Sequence, residues 1–431
     1  MEGSAVTSAE GFAEASPGPA DAAGDQSPVD ASRYVFNPFA SDFIRDPYSH
    51  YAQLRALDPV HFAPIGAYVV SRHADVGTVL KDRRFGKAFV ERSEKRYGSE
   101  VVREPLFDHM SKTMLLSDPP HHTRLRNLVV KAFTARQVEA MRPRIQQVVD
   151  QALDAVVDRG KMDLVSEFAY HPPVTIICDM LGIPDDERGF FHAVSEDSVR
   201  VLESAAFTPE EIAAANSRVK SVRDYFERLY EQCRRRPGND LTTQLVMAEE
   251  DGNRLTNEEL TASIVLLFVA GHETTINLIG NSLITLHRNP EQMALLRTDP
   301  GRIHNAIDEF LRYEPSIQFT GRVALEDMEL ADKRIAKGDN IVCLLASANR
   351  DAAVYPDRPD EFDITRRNSK PLSFGGGIHF CLGAQLARLQ TEIAVTTLLR
   401  RLPRLQIDDV ENPAWKPNFV IRGPRVLPAS W

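Results

Sequence analysis

Residues 374–383 constrain the fold more than any other stretch of the chain. They read Phe-Gly-Gly-Gly-Ile-His-Phe-Cys-Leu-Gly, and three consecutive glycines shape the backbone because they have no side chains to fill a core. Apolar residues then recur with helical period over residues 382–393. Cys381 therefore stands where a glycine-built turn enters a helix, and free backbone N–H groups and the helix dipole favour a thiolate there. A thiolate is a good ligand for a soft metal centre, while a buried structural cysteine is the alternative interpretation.

The same stretch resembles the haem-binding loop of the cytochrome P-450 family, which has the pattern Phe-Gly-x-Gly-x-His/Arg-x-Cys-x-Gly. Six fixed positions match, namely Phe374, Gly375, Gly377, His379, Cys381 and Gly383. The resemblance implies that Cys381 ligates the iron of haem b, iron protoporphyrin IX, since this family holds haem iron through a cysteine thiolate. Gly376 departs from many relatives, which carry a bulkier polar residue there, but the departure removes no ligand.

Composition and charge exclude several classes of protein. The chain has 431 residues, 43% of them hydrophobic, which is enough to bury a large core. A net charge of −10 argues against bulk binding of nucleic acid. The four cysteines are scattered without Cys-x-x-Cys spacing. This pattern argues against a zinc ribbon, covalent haem attachment or a disulfide framework, and it suits a reducing cytoplasm.

The N-terminal segment has a composition of its own. Residues 1–34 are rich in Ala, Gly, Ser, Pro and acidic residues, so we expect a disordered lead there and a single haem-thiolate monooxygenase domain over residues 35–431. The segment lacks the basic and apolar regions of a secretory signal. No uninterrupted apolar run reaches the length of about 18 residues that a membrane span needs, so we expect no membrane anchor.

Local patterns predict a mostly helical chain. Apolar segments separated by Pro64 and Gly66 predict a hairpin over residues 60–70, and a charged, glycine-interrupted stretch predicts a long loop with a little helix at residues 86–110. Short strands are predicted at residues 405–408 and 419–421. Helical segments are predicted at residues 74–81, 136–158, 173–181, 185–203, 209–235 and 240–249.

A second motif lies in a long predicted helix. The capping box Thr-Asn-Glu-Glu at residues 256–259 begins this helix, and Asn289-Pro290 ends it. Ala-Gly-His-Glu-Thr-Thr at residues 270–275 interrupts its apolar middle, although Gly weakens a helix and Glu is costly to bury. The interruption is either a kink satisfied by its neighbours or a site where small residues admit a flat cofactor and Thr bonds a backbone carbonyl. It resembles the family's oxygen-binding motif Ala-Gly-x-Asp/Glu-Thr, which implies Ala270 and Gly271 beside the haem and Glu273 and Thr274 as the catalytic acid–alcohol pair.

Basic residues are predicted to bind the haem propionates. His122 and Arg126 lie four residues apart on a helix that Asp118 is predicted to cap, so they share one face and suit a carboxylate or phosphate. An exposed basic face is the alternative interpretation. The pair resembles the family's propionate-binding His-x-x-x-Arg helix, and Arg322 matches a further propionate arginine. The cofactor-binding residues that the resemblance implies are His122, Arg126, Ala270, Gly271, Arg322, Phe374, His379 and Gly383.

Other charged residues are assigned to structure or to docking. Glu309 and Arg312 are three apart on a helix, a spacing typical of surface salt bridges. They resemble the family's Glu-x-x-Arg motif with Arg366 as its third member, which implies a structural role in support of the haem loop. Arg124 and Lys131, seven residues apart, form either a docking face for an acidic electron donor or an ordinary solvated surface.

The resemblance runs in motif order from about residue 35 to the C-terminus. It implies a mainly α fold with small β-sheets, a triangular helical prism whose long central helix crosses the haem. The pattern is most similar to soluble bacterial enzymes that tailor secondary metabolites. It implies a monooxygenase that inserts one atom of O2 into a lipophilic substrate, such as a macrolide, another polyketide, a terpenoid or a steroid, by hydroxylation or epoxidation. The substrate-binding residues are expected to include Leu267, Ile317, Phe319 and Phe419.

Partners and alternative functions follow from the same resemblance. Electrons are expected from a separate ferredoxin and an NAD(P)H-dependent ferredoxin reductase. Oxidative coupling, the use of peroxide and a non-catalytic haem-thiolate sensor stay open, although the intact Glu273–Thr274 pair favours catalysis with O2. A dinucleotide enzyme is disfavoured because the glycine spacing is not Gly-x-Gly-x-x-Gly and no βαβ unit surrounds it.

Overall fold

The computed structural model describes residues 36–131, 133–184, 187–202, 207–248 and 254–431. The disordered lead expected at residues 1–34 lies outside the described residues. The single domain over residues 35–431 stays a prediction. Within the described residues, helices dominate and the strands are short.

The helices carry most of the described chain. In chain order they are α1 (Ser41–Arg45), α2 (Pro47–Leu57), α3 (His73–Lys81), α4 (Phe89–Tyr97), α5 (Pro105–Ser111), α6 (His121–Val130), α7 (Ala135–Ala140), α8 (Arg142–Asp154), α9 (His171–Leu181), α10 (Arg188–Leu202), α11 (Pro209–Arg235), α12 (Leu241–Met247), α13 (Asn257–Arg288), α14 (Pro290–Thr298), α15 (Ile303–Tyr313), α16 (Leu345–Ala348) and α17 (Ala384–Arg401).

The strands form small sheets. In chain order they are β1 (Val60–Ala63), β2 (Ala67–Val70), β3 (Phe85–Gly86), β4 (Lys161–Asp163), β5 (Phe319–Ala324), β6 (Met328–Leu330), β7 (Lys333–Ile335), β8 (Asn340–Leu344), β9 (Gln406–Ile407), β10 (Ala414–Trp415), β11 (Pro424–Val426) and β12 (Pro428–Ser430). The largest described sheet has five strands in the order β1-β2-β8-β5-β3. β1 and β2 form the predicted hairpin, and β5 pairs antiparallel with β8 so that Arg322 lies opposite Ile341.

Helix α13 runs through the hydrophobic core. Its start is the predicted capping box, because the Thr256 hydroxyl accepts the N–H of Glu259 at 3.2 Å and the Glu259 carboxylate accepts the N–H of Thr256 at 2.9 Å. The helix is long and apolar enough to cross a membrane by length and composition alone, but 78% of its apolar window is buried inside the protein. Such burial is typical of the core helix of a globular protein. Helices α8, α9 and α17 contribute to the same core cluster.

Three local predictions differ from the structure. Most of the loop predicted at residues 86–110 is helical, in α4 and α5, since both short helices bury apolar residues in one small cluster. The helix predicted at residues 136–158 is two helices that meet at Met141, because Pro143 starts a new first turn. The strand predicted at residues 419–421 is reduced to an isolated bridge between Ile421 and Ile317.

Candidate active site

A cavity of about 1130 Å³ lies between α13 and residues 374–383. Ligand pockets are typically about 300–1,000 Å³, so this one has room for a large cofactor together with a substrate. The cavity brings together sequence-predicted residues from five separate stretches of the chain. Its lining includes His122, Arg126, Leu267, Ala270, Gly271, Thr274, Ile317, Phe319, Arg322, Phe374, His379, Cys381, Gly383 and Phe419.

Glycines give the cysteine turn its path. Gly375 and Gly377 have φ of +70° and +63°, in the left-handed region that favours glycine. A Cβ on Gly377 would also collide with the carbonyl oxygen of Leu80 on α3. Gly376 has extended backbone with φ of −167°, and a Cβ there would lie 3.3 Å from that of Leu80. Gly377 therefore lets the turn lie close against α3. A bulkier residue in place of Gly376 would have to displace the side chain of Leu80.

Two hydrogen bonds close the turn around Cys381. The Cys381 N–H donates to the Phe374 carbonyl at 2.9 Å, and the Arg126 guanidinium donates to the Phe380 carbonyl at 2.7 Å. The predicted backbone donor to the Cys381 sulfur is present, but burial opposes its effect. Burial raises the pKa of the Cys381 thiol, and the Gly383 N–H and Arg126 lower it by less. A thiolate here therefore depends on a bound cation, and metal coordination deprotonates a thiol outright.

Next to this turn lies a group of side chains that we call the basic cluster, formed by Lys87, His122, Arg126, Arg322 and His379. The centroids of the two imidazole rings are 4.4 Å apart. The Gly321 carbonyl accepts from Lys87 Nζ at 3.1 Å and from Arg322 Nη1 at 2.9 Å. Within the described residues, none of the five side chains donates to a carboxylate. The cluster is therefore a concentration of donors and positive charge that no carboxylate of the described residues balances.

Burial and charge repulsion act together on this cluster. Burial, followed by the neighbouring cations Lys87 and Arg322, lowers the pKa of His379 to about 2. Burial lowers the pKa of Lys87 well below its ordinary range, and Arg322 adds to that effect. The pKa of His122 is lowered for the same reasons, burial first. The two imidazoles are therefore neutral at physiological pH, and the cluster gains most from a ligand that brings negative charge.

Buried polar atoms show what that ligand must offer. Both ring nitrogens of His122 and Nε2 of His379 are buried without a hydrogen-bond partner in the described part of the chain. Such unpaired groups cost about 1–3 kcal/mol each, so they mark a place for an acceptor. Two carboxylates on one flat ring would accept from the imidazoles and neutralise Lys87 and Arg322. The haem propionates have this chemistry, so the residues present fit the cofactor.

Asp118 shapes the cluster from outside the cavity. The sequence predicts that it caps α6, but Pro120 occupies the cap position and no side chain caps this helix. The Asp118 carboxylate instead accepts the backbone N–H groups of Lys87 and Ala88, each at 2.9 Å. A Cβ on Gly86 would lie 2.7 Å from that carboxylate, so the glycine permits its approach. Asp118 thus holds the segment that carries Lys87 into the cavity.

The interrupted middle of α13 remains a continuous helix. Thr274 Oγ1 donates to the Ala270 carbonyl at 2.9 Å, as predicted for a threonine that bonds the backbone, and both residues line the cavity. Gly271 has a different reason to be small. A Cβ there would lie 3.1 Å from the side chain of Ile177, so the glycine allows α9 to approach α13.

Glu273 is not among the residues that line the cavity. Its Oε1 accepts from Lys416 Nζ at 2.6 Å and from Asn277 Nδ2 at 3.2 Å. Burial by itself raises the pKa of Glu273, but the Lys416 ammonium and the hydrogen bonds lower it more, so the pKa lies below its ordinary value. The side chains of Lys416 and Glu273 are 21% and 22% exposed, so the pair joins the neighbourhood of Thr274 to solvent.

A sequence model of the family Cytochrome P450 matches residues 69–425. The chain belongs to the cytochrome P450 family. Cytochrome P450 107B1 of Saccharopolyspora erythraea is 42% identical to it over 90% of this chain and 96% of the relative. The cytochrome P450 monooxygenase PikC of Streptomyces venezuelae is 40% identical over 90% of this chain and 92% of its own length.

A solved structure agrees with these relatives. The crystal structure of P450BioI in complex with an acyl carrier protein ligated to hexadec-9Z-enoic acid matches with a TM-score of 0.83, at 34% identity over 91% of this chain and 100% of that one. Together these matches confirm the mainly α fold with small sheets, a haem held through a cysteine thiolate and the activity of a cytochrome P450 monooxygenase, an oxidoreductase. This P450 is related to bacterial tailoring enzymes.

The predicted structural residues of this P450 form a buried network. Arg312 is fully buried, and its Nε and Nη2 donate to the two carboxylate oxygens of Glu309 at 2.8 and 2.7 Å. Arg366 Nε lies 3.3 Å from the same carboxylate. Arg312 also donates to the carbonyl of Asn349, whose side-chain oxygen accepts the N–H of Leu372 at 2.7 Å. The network therefore reaches the start of the cysteine turn.

The predicted docking face of this P450 is not a pair of free cations. The Arg124 guanidinium forms an ion pair with Glu259 in the capping box of α13 and donates to the Arg254 carbonyl. Burial by itself raises the pKa of Glu259, but the hydrogen bonds from the Arg124 guanidinium and from the Thr256 N–H lower it by more, so the pKa lies below its ordinary value. Arg124 is therefore engaged in joining α6 to α13, which weakens the expectation that it docks a donor.

Sequence reasoning missed Lys87, Asn277 and Lys416. Lys87 lies in a stretch whose pattern predicts a loop, and a lysine in a loop is usually solvated. Asn277 lies one turn after Glu273 on α13, so a search for helix neighbours of the acid would have found it. Lys416 lies 143 residues from its partner, and no local pattern marks it.

Proposed function

We propose that this P450 hydroxylates or epoxidises a lipophilic secondary metabolite such as a macrolide, another polyketide, a terpenoid or a steroid. The observation that carries the proposal is the Thr274–Ala270 hydrogen bond at the wall of a large cavity, next to the paired Glu273. The similarity to PikC and the apolar lining from Leu267, Ile317, Phe319 and Phe419 support it.

We assign the haem contacts to residues of this chain as follows. Cys381 is the thiolate ligand, and Phe374, Gly383, Ala270 and Gly271 border the ring. Lys87 joins the predicted His122, Arg126, Arg322 and His379 in holding the propionates. Haem ligated in this way supplies O2 activation and oxidation of the substrate. The basic cluster orients the ring by donating hydrogen bonds to its two carboxylates. Without them, three imidazole nitrogens have no partner in the described residues.

The acid–alcohol pair moves protons in this proposal. Thr274 Oγ1 faces the cavity and can pass a proton inward while it exchanges its bond to the Ala270 carbonyl. Glu273 takes protons from solvent along the side of Lys416, because the ion pair between them is partly exposed. Lys416 also keeps Glu273 ionised, and therefore ready to accept a proton, at physiological pH.

Electrons come from a separate ferredoxin and an NAD(P)H-dependent ferredoxin reductase, and the protein acts in the cytoplasm. The similarity to bacterial monooxygenases supports both assignments. Glu309, Arg312 and Arg366 hold the cysteine turn and take no part in chemistry.

Two experiments test the proposed function. Cys381→Ser should lose the thiolate-type absorption of the reduced carbonyl adduct, while the control Cys233→Ser, a buried cysteine on α11, should keep it. A normal adduct in Cys381→Ser would remove the ligand assignment. A screen of macrolides, terpenoids and steroids for a substrate-induced change in the haem spectrum should yield a binder. For that binder, Thr274→Ala should consume O2 without forming product, and unchanged coupling would exclude the proton-transfer role.

A further inference from the structure

The mouth of the cavity carries a second group of cations that the haem contacts do not use. Helix α4 and the turn before β8 contribute them, and we call Arg92, Lys95, Arg96 and Lys337 the cationic rim. Glu91 is the one carboxylate in the described lining of the whole cavity. In a chain with 61 acidic and 51 basic residues, this local excess of positive charge runs against the average.

Two of these cations lie against the backbone of the sheet. A Cβ on Gly321 of β5 would lie 3.5 Å from Arg92 Nη1, and a Cβ on Gly338 would lie 3.1 Å from Lys95 Nζ. Small residues at both positions therefore let the charged groups approach the sheet beside the cavity. Arg92 is half-buried, and burial lowers the pKa of its guanidinium. Burial of a charge without a counter-ion costs stability, so a partner for Arg92 is expected.

No such partner is present in the described part of the chain. Arg92, Lys95 and Lys337 make no side-chain ion pair with a described carboxylate, in contrast to Arg84 and Lys112 in the neighbouring segments. Lys87 and Arg322 of the basic cluster are buried, whereas Lys95, Arg96 and Lys337 are exposed. Arg92 is close to both groups, because it lies beside Gly321, whose carbonyl accepts from Lys87 and Arg322. The cationic rim therefore lies nearer to solvent than the basic cluster, at the entrance of the cavity.

Apolar side chains accompany the cations at the mouth. Phe39, Ile65 and Leu325 line the same cavity, and they are 63%, 44% and 37% exposed. Large apolar groups next to Arg92 and Lys95 suit a ligand that has an apolar body and a negative end. Among lipophilic metabolites, one without a negative group would leave the half-buried charge of Arg92 without a counter-ion from the ligand.

We propose that the substrate of this P450 is an amphipathic carboxylate, whose carboxylate is held at the cavity mouth by Arg92 and Lys95 while its apolar body reaches toward the haem. The inference rests on the proposed function and narrows its substrate class. Arg92 can form a bidentate pair with a carboxylate, and Lys95 adds a second charge one turn along α4. The position of the head group then determines which carbon lies nearest the haem.

The test compares ligands with a twelve-carbon chain that differ in the charge of the head group, together with a shorter and a longer acid. Octanoic, dodecanoic and hexadecanoic acids, methyl dodecanoate and dodecyltrimethylammonium are titrated into the haem-loaded enzyme below their micelle concentrations, and the haem spectrum and equilibrium dialysis report binding. We expect dodecanoic acid to bind at least about tenfold more tightly than its ester, the change that loss of one charge-assisted hydrogen bond produces. The quaternary ammonium should bind more weakly than the ester.

Variants locate the head group. Arg92→Gln with Lys95→Gln should weaken dodecanoic acid about tenfold or more and leave the ester within about twofold. Arg103→Gln, at a 77% exposed arginine outside the cavity lining, is the matched control and should change neither affinity. The reduced carbonyl spectrum of each variant checks that the haem site is intact.

Each other outcome counts against the inference. Equal affinities for acid and ester, no binding of any of the acids up to about 1 mM, or a double variant with unchanged affinity for the acid would overturn it. A fall in haem content in Arg92→Gln, with the acid-to-ester ratio unchanged, would assign Arg92 to the cofactor instead. Loss of the thiolate-type spectrum in the parent enzyme would contradict the proposed function and not the cationic rim.

Discussion

Replacement of Arg312 by lysine should destabilise the protein severely while it preserves the charge. All five N–H groups of Arg312 are used, two on Glu309 and the others on the carbonyls of Asn349, Pro359 and Glu361 at 2.5 to 3.2 Å. A lysine ammonium has three N–H groups, so at least two acceptors lose their donor in a site where Arg312 is 0% and Glu309 is 1% exposed.

The magnitude follows from that count. Hydrogen bonds to charged groups contribute about 1.5–3 kcal/mol each, and breaking a buried ion pair typically costs about 3–5 kcal/mol. We therefore expect Arg312→Lys to lose about 3–5 kcal/mol, a large part of the 5–15 kcal/mol that is typical of a folded domain. Because Asn349 joins the network to Leu372 at the cysteine turn, haem content should fall as well.

Urea unfolding, followed by tryptophan fluorescence and by the haem spectrum, measures the loss. Arg358→Lys is the matched control, because Arg358 pairs with Glu361 and Asp363 in the same region but is 61% exposed. Exposed pairs contribute about 0–1 kcal/mol, so this variant should unfold close to the parent. Equal midpoints for the two variants would refute the reasoning that full burial and full use of the donors make Arg312 irreplaceable.

Three further changes have defined expected outcomes. Lys416→Met should raise the pKa of Glu273 and shift the pH profile of coupled turnover to higher pH, since the ammonium holds that pKa down. His109 is buried with its pKa lowered from 6.5 to about 4, burial being the main cause. The free energy of unfolding should therefore fall by about 3 kcal/mol as the pH drops from 6.5 to 4, because protons then bind the unfolded chain more tightly than the buried imidazole. In His109→Gln, the free energy of unfolding measured with urea should fall less over the same acid range. Gly377→Ala should cost at least about 2 kcal/mol in thermal unfolding, from its positive φ and the contact with Leu80.

Controls separate these effects from general damage. Lys416→Arg keeps the charge and should keep the parental pH profile. If the profile of Lys416→Arg shifts as much as that of Lys416→Met, loss of the ion pair is excluded as the cause of the shift. His304→Gln, at a 75% exposed histidine, should leave the acid limb unchanged, and a flattening equal to that of His109→Gln would contradict the role of burial. Gly77→Ala on α3 meets nothing within 4 Å and has no positive φ, so it should be tolerated; equal losses at Gly377 and Gly77 would discount the turn geometry.

Local patterns predicted the long elements well. The bounds 209–235 agree with α11, and the capping box and Asn-Pro signals agree with both ends of α13, because caps and breakers act within one turn of the residues that they order. The helical content of residues 86–110 was underestimated, since tertiary burial of residues such as Phe107 stabilises α4 and α5 against a weak local signal.

Motif spacing also identified most of the site. Residues at i and i+4 share a helix face in any fold, so the spacing alone pairs His122 with Arg126 and Ala270 with Thr274. The glycine pattern likewise marked Cys381, because a positive φ and a close approach to α3 exclude side chains at Gly377.

Contacts between distant segments depended on the packed structure. The pairs Glu273–Lys416 and Arg124–Glu259 and the position of the cationic rim at the cavity mouth depend on where separate elements meet, and no periodicity encodes such meetings. The burial that lowers the pKa of His379 and raises that of Cys381 is likewise a property of the assembled core, since a short peptide would leave both side chains in water. The order of residues along the chain thus specified the chemistry that is available, and three-dimensional packing set the charge and the partner of each group.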